Sequence, residues 1–217
     1  MEAIESPLER HVEEVVIKRS RFIGVVLPFD HSAPMKELLR EVQEDYPRAT
    51  HYCWAYKTHF PRRDEGCSDG GEPSGTAGRP ILNAILSSRM SQVAVVVVRY
   101  YGGIKLGVRG LIDAYNLAAK AALNGCKRTV LERCIPVTFN LDYSKEDQLR
   151  HWWGRMGLRA DAIRWDYRER LEAQGIIPEE LKGALEEFLD HVSHGDIICR
   201  MGEVQLSLSP LEKNRPA

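Results

Sequence analysis

The sequence predicts an α+β protein of two domains, residues 1–134 and 135–208, followed by a disordered tail over 209–217. Three observations carry this expectation. Apolar positions with a period of two alternate along the chain with apolar positions at helical spacing. The formal charge changes sign between the two parts: residues 1–134 hold 19 Lys and Arg against 16 Asp and Glu, and residues 135–217 hold 11 against 15. After Cys134 the elements fall in the order strand, helix, strand, strand, helix, strand. With 217 residues, 43% of them hydrophobic, the chain has apolar side chains enough for a packed core in each part.

In the first part, Val12–Lys18 and Phe22–Phe29 are rich in β-branched and aromatic residues and predict two strands joined as a hairpin near Arg19 and Ser20. Lys18, Arg19 and Arg21 then cluster at the turn, where they either meet phosphates or solvate an exposed loop. Pro34 suits a first helical turn, and Met35, Leu38, Leu39 and Val42 share one helical face before Pro47 ends the helix. His51–Thr58 alternates Tyr52, Trp54 and Tyr56 with Cys53 and Ala55. That aromatic face is either core or a platform on which bases stack. Pro80 begins a second helix carrying Ile81, Leu82, Ile85 and Leu86. Val93–Val98 reads as a strand buried on both faces, and Leu111–Asn124 as a third helix, stopped at Asn124 and Gly125.

In the second part the expected elements are strand Ile135–Tyr143, helix Ser144–Met156, strand Ala160–Tyr167, a weak strand near Arg168–Ile176, helix Pro178–Val192 and strand Ile197–Leu206. This βαββαβ order predicts a ferredoxin-like sheet. Glu179 and Glu180 stand where a helix dipole favours acids, and Leu181, Leu185, Phe188 and Leu189 give that helix its buried face.

The least ordinary residues lie in two glycine-rich loops, Gly66–Gly78 and Gly102–Gly110, on either side of the second helix and the Val93–Val98 strand. The first loop offers Asp69, Glu72, Ser74, Gly75, Thr76 and Gly78, the second Gly102, Gly103 and Gly107. A glycine loop that runs into a helix amino terminus presents N–H groups to an anion, and Arg79 adds charge there. Asp69 and Glu72 alternatively cap their own loop. Arg99 at the end of the buried strand, with Lys105 and Arg109 in the second loop, completes a basic group expected to converge with Arg79 on one edge of the sheet. Arg21 is a further candidate. A second reading pairs Arg99 with Asp69 or Glu72 inside the domain.

Several function classes recede. The P-loop pattern is absent, and His51, Cys53, His59 and Cys67 match no common zinc spacing, so no metal and no cofactor are expected. The five cysteines contain no CxxC pair and read as free thiols. No apolar run approaches the roughly 20 residues of a spanning helix, and the amino terminus has no apolar signal segment. A cytoplasmic protein without a membrane partner is therefore expected. Neither Ser68 nor Ser74 has a His at an informative spacing, and no nucleophile–base pair stands out.

GEPSGTAGRPIL, with SRFIG, HYCWAY and VVVVRYYGGIKLG, resembles the YigZ/IMPACT family. The resemblance is strongest from Ser20 to Ala122. It implies a left-handed βαβ domain, the fold shared with a small-subunit ribosomal protein and domain IV of elongation factor G, followed by a ferredoxin-like domain similar to its domain V. It also implies a translation-linked regulatory or binding role near the ribosome, RNA or a translation-associated protein. The alternatives are a small enzyme or binder of a phosphorylated or nucleotide ligand, and an adaptor that binds only proteins. Two positions depart from the family's pattern: Gly70 replaces the second acid of DDGEPSGTAG, and Val108 and Arg109 stand within LGAGGL.

Overall fold

The computed structural model describes residues 4–30, 32, 34–192 and 196–211. The chain divides into two compact units, with the boundary at Val130/Leu131. The break expected after Cys134 and this boundary fall within the same long strand.

The first unit contains β1 (Ile4–Pro7), β2 (His11–Ile17), β3 (Ser20–Pro28), α1 (Met35–Asp45), β4 (His51–Thr58), β5 (Asp64–Ser68), α2 (Gly78–Ser88), β6 (Val93–Tyr100) and α3 (Gly107–Gly125). Five strands form a sheet in the order β2-β3-β6-β4-β5, antiparallel throughout. β6 lies at its centre, and its alternation divides the core. Val93, Val95 and Val97 face Ile81, Ile85, Tyr115 and Ala118 of α2 and α3. Val96 and Val98 face Val42, Met35, Leu38 and Leu39 of α1. An uninterrupted valine run is therefore buried on both sides even in an antiparallel sheet, because helices clad both faces.

The structure decides one open alternative and moves one turn by a residue. The Tyr52 and Trp54 side chains pack on the core under α1, and the Tyr52 hydroxyl donates to the Tyr46 carbonyl. They are half-buried core on the α1 side, not an open stacking platform. The β2–β3 hairpin closes through Lys18 and Arg19, both at positive φ (46° and 68°), between the paired Ile17 and Ser20. A two-residue turn needs that conformation to match strand twist. The usual Asn-Gly signal is absent, and the turn expected near Arg19 and Ser20 falls one residue earlier, at Lys18 and Arg19.

The second unit is built on β7 (Arg128–Leu141), α4 (Glu146–Arg155), β8 (Ile163–Tyr167), β9 (Leu171–Pro178), α5 (Lys182–Val192), β10 (Ile197–Met201) and β11 (Gln205–Leu208). β9 pairs antiparallel with β7 on one side, with β8 beyond it, and β10 and β11 both pair with β7. Ile135, Val137, Phe139 and Leu141 meet Leu149, Trp152, Trp153 and Leu185 in its core. The single strand expected over Ile197–Leu206 is two strands, interrupted where the Gly202 N–H bonds the Pro136 carbonyl. The chain stays ordered past 209: the Arg159 N–H donates to the Pro210 carbonyl, and Leu211 bridges to Leu158. The expected tail is thus corrected at 209–211, and its remaining residues, 212–217, lie outside the described residues.

Candidate functional site

Strand register brings the loops of the first unit together. Arg99 of β6 pairs with His51 at the start of β4, Tyr100 pairs with Arg21 beside the hairpin turn, and Ser68 at the end of β5 pairs with Trp54. The turn at Lys18–Arg19, the loop 69–77, the loop 101–106 and the amino termini of α2 and α3 therefore lie at one end of the sheet.

Glu72 is the centre of this end. Its side chain is 4% exposed and accepts from Arg99 Nη1 and from the Tyr115 hydroxyl at 2.8 Å. His51 Nε2 lies 3.8 Å from the same carboxylate oxygen. The Gly70 carbonyl, 3.0 Å from His51 Nδ1, can only accept, so that nitrogen carries a proton. The Arg99 guanidinium lies 5.4 Å from the ring centroids of both Phe22 and Tyr101. The chain thus ties its first loop, its central strand and α3 through one buried charge pair, the internal pairing that was the alternative role for Arg99.

Asp69 holds the first loop in a different way. Its Oδ1 accepts from the Ala77 and Gly78 N–H groups at 2.9 and 2.8 Å, and Oδ2 from the Gly75 N–H at 2.9 Å. Burial pushes this carboxyl up, but the three N–H bonds outweigh it and hold the group below the usual carboxylate range. Of the two readings of this loop, the capping one holds for Asp69: the chain's own carboxylate, not an external anion, occupies the α2 amino terminus. Thr76 is buried and donates to the Pro73 carbonyl at 2.6 Å, while Ser74 and Gly75 are exposed. Gly78 is required by contact: a Cβ there would lie 2.7 to 2.8 Å from the Ser68 backbone.

The second loop is shorter than expected. α3 begins at Gly107 rather than Leu111, so Arg109 is on its first turn. The Gly102 N–H donates to Ser20 Oγ at 3.1 Å, and Gly103 and Gly107 take positive φ. The N-cap residue of α3, Leu106, makes no side-chain cap hydrogen bond. Arg79, Lys105 and Arg109 are exposed. Arg21 instead forms a two-bond pair with Glu14, at 2.8 and 2.9 Å, and lies over Tyr100.

The site-residue reading missed Arg48, whose place at this end is set by β4 register. It also left Lys18 and Arg19 outside the group. Lys18, Arg19, Arg48, Arg79, Lys105 and Arg109 are all exposed, and none has an ion-pair partner among the described residues. The two acids of the first loop are already engaged. Beside the Arg99 pair opens a cleft of about 420 Å³, with Thr50, His51, Tyr101 and Lys105 among its lining residues. Burial pushes the Cys53 thiol up to about 12, so it is not a thiolate nucleophile at neutral pH. Among the described residues no His, Cys, Asp and Glu group could hold a metal ion, and no helix is long and apolar enough to cross a membrane.

Fold and site together define a two-unit α+β protein whose first unit carries a basic end built on a buried Arg–Glu–Tyr network. Residues 18–123 match the family described as the Impact N-terminal domain. The chain is 30% identical over 198 residues to IMPACT family member YvyE of Bacillus subtilis, covering 88% of this chain and 87% of the relative. The chain belongs to the IMPACT family. It is 40% identical over 129 residues to IMPACT family member YigZ of Escherichia coli, covering 58% of this chain and 61% of that one. A family member of Haemophilus influenzae is 40% identical over 119 residues, covering 54% and 58%. The chain thus spans about three fifths of the length of these two relatives. A crystal structure described as that of a hypothetical protein superposes with a TM-score of 0.65 at 28% identity, covering 98% of this chain and all of the other.

Proposed function

We propose that this chain is a cytoplasmic, translation-linked binding protein that engages ribosomal or other structured RNA through the basic end of its first unit. The observation that carries the reading is the set of six exposed cations without ion-pair partners among the described residues at one end, beside two loop acids already engaged by Arg99 and by backbone N–H groups. Such a surface attracts a polyanion by counterion release, whereas cations paired to neighbouring acids do so far less. Family membership supports the same role. We assign the first unit to the left-handed βαβ class of a small-subunit ribosomal protein and elongation factor G domain IV, on the strength of its family. The second unit we read as ferredoxin-like, which the strand order β10-β7-β9-β8 with antiparallel neighbours supports.

The test is co-sedimentation with ribosomes, and binding to a structured RNA, across a salt series. Lys105→Glu combined with Arg109→Glu keeps the melting temperature, because both side chains are exposed and unpaired. It lowers affinity and reduces the salt slope by about 2, one for each lost phosphate contact. A folded double variant that binds like the wild type at every salt concentration would remove RNA from this reading and favour a protein-only partner.

A further inference from the structure

The cleft beside Arg99 is a different kind of surface from the cations around it, and it calls for a different part of a ligand. Pro73, Leu106, Val108 and Leu111 make much of its wall apolar, and Thr50, His51, Arg99, Tyr101 and Lys105 bring polar groups to it. A phosphate backbone alone has no use for that lining. A nucleobase, with apolar faces and polar edges, does.

Three features point into this space. Tyr101 is 44% exposed although large and aromatic. Its N–H is fixed by Thr50 Oγ1 at 3.0 Å, and the Arg99 guanidinium lies 5.4 Å from its ring centroid. A buried cation thus lies against the ring, while nearly half of the residue stays exposed. Arg99 itself is 5% exposed, lines the cleft, and keeps a buried Nε donor with no partner among the described residues. The amino terminus of α3, a helix of 19 residues, meets the same cleft through Gly107 and Val108, and its N-cap residue Leu106 makes no side-chain cap hydrogen bond. Its N–H groups and the Lys105 ammonium are suited to one phosphate.

The geometry points to a site for a single unpaired nucleotide of an RNA strand, its base stacked on the exposed Tyr101 ring and its phosphate held by Lys105 and the first turn of α3. This rests on the RNA reading above and adds strandedness to it. A cleft of about 420 Å³ lies within the roughly 300 to 1,000 Å³ typical of small-ligand pockets. It has room for one splayed-out nucleotide, not for a duplex, whose bases are stacked away inside it. A duplex would meet the exposed cations and leave the cleft unfilled. Specific recognition of unpaired RNA commonly takes this form, with bases stacked on aromatic side chains.

The experiment compares a short single-stranded oligoadenylate with a blunt RNA duplex of the same phosphate count, using wild type, Tyr101→Ala and Tyr101→Phe, each checked by thermal melt. Tyr101→Ala weakens the single strand by about 5- to 150-fold, the loss expected when one stacked base is given up. It leaves duplex affinity within about twofold, and Tyr101→Phe restores single-strand binding. AMP, titrated alone, binds more weakly than the oligonucleotide. Equal losses for single strand and duplex in Tyr101→Ala would overturn the proposal, as would AMP binding more tightly than the strand. Unchanged single-strand binding in Tyr101→Ala, with both RNAs still weakened by Lys105→Glu/Arg109→Glu, would refute the cleft site and leave the basic-end reading standing. Absence of binding to either RNA by the wild type would refute both.

Discussion

Replacing Glu72 with Gln removes a charge and almost no volume, which isolates the electrostatic part of the network that holds the two loops together. The Arg99 and Glu72 side chains are 6% and 4% exposed, so neither can turn to water when the other is lost. Breaking one partner of such a buried pair costs about 3–5 kcal/mol, since an uncompensated charge remains inside. The amide oxygen that Glu72→Gln introduces can still accept from Tyr115, so the cost falls on Arg99. Against a typical domain stability of about 5–15 kcal/mol this is a large fraction. At a urea m-value of about 2 kcal/mol/M it moves the midpoint by about 1.5–2.5 M. Hydrogen–deuterium exchange on peptides of β6 and α3, followed through a urea series, reads the first unit without interference from the second. Arg99→Met strands the carboxylate instead and costs a similar amount, whereas the double variant Glu72→Gln/Arg99→Met costs less than the two single losses added together. A Glu72→Gln protein within about 0.5 kcal/mol of the wild type, a shift typical of surface substitutions, would refute the claim that this pair organises the site.

Two further perturbations separate what the first loop owes to space from what it owes to charge. Gly78→Ala collides with the Ser68 backbone, whereas Gly75, at φ 76° with open space around it, gives Gly75→Ala only backbone strain of about 1 kcal/mol. Thermal melts are expected to rank Gly78→Ala well below Gly75→Ala, and the reverse order would contradict this packing. Asp69 is held below the ordinary carboxylate range, so its contribution is present above the unfolded-state pKa, near 3.9, and is lost as pH falls through the folded value. Asp69→Asn is expected to cost about 1–3 kcal/mol at neutral pH. Its stability deficit narrows below about pH 4, and a deficit that stays constant to pH 2 would show that the carboxylate charge is not what the three N–H groups require.

The elements most legible in the sequence were those whose period and burial agree. Val93–Val98 declared a strand covered on both sides, and Met35, Leu38, Leu39 and Val42 declared the α1 face. The aromatic alternation at Tyr52, Trp54 and Tyr56 showed a strand, but which helix covers it depends on a tertiary contact. Elements rich in charge or glycine were harder to read. β7 begins at Arg128, whereas the sequence pattern shows the strand only from Ile135, because Arg128, Glu132 and Arg133 interrupt its apolar alternation. α3 starts at Gly107 because tertiary packing overrides the loop propensity of its glycines. The two loops were visible as candidates, and so was the choice between Asp69 or Glu72 as partner of Arg99. That Glu72 pairs with Arg99 while Asp69 caps α2 depends on side-chain reach of a fraction of a residue, which spacing does not encode. Arg48 joins the basic end only through the antiparallel register of β4 with β6, a relation between segments about 40 residues apart. The cleft emerges only when Thr50, Tyr101 and Lys105 are brought to the same end.

RNA binding at the basic end is tested most directly by mapping where RNA lands on the folded chain, using backbone amide NMR during titration with a structured RNA at moderate salt. The expected result is chemical-shift changes concentrated at Lys18, Arg19, Arg48, residues 101–109 and Arg79, fading as salt rises. Changes centred instead on β2 and the opposite end of the first unit, or confined to residues 131–211, would contradict it.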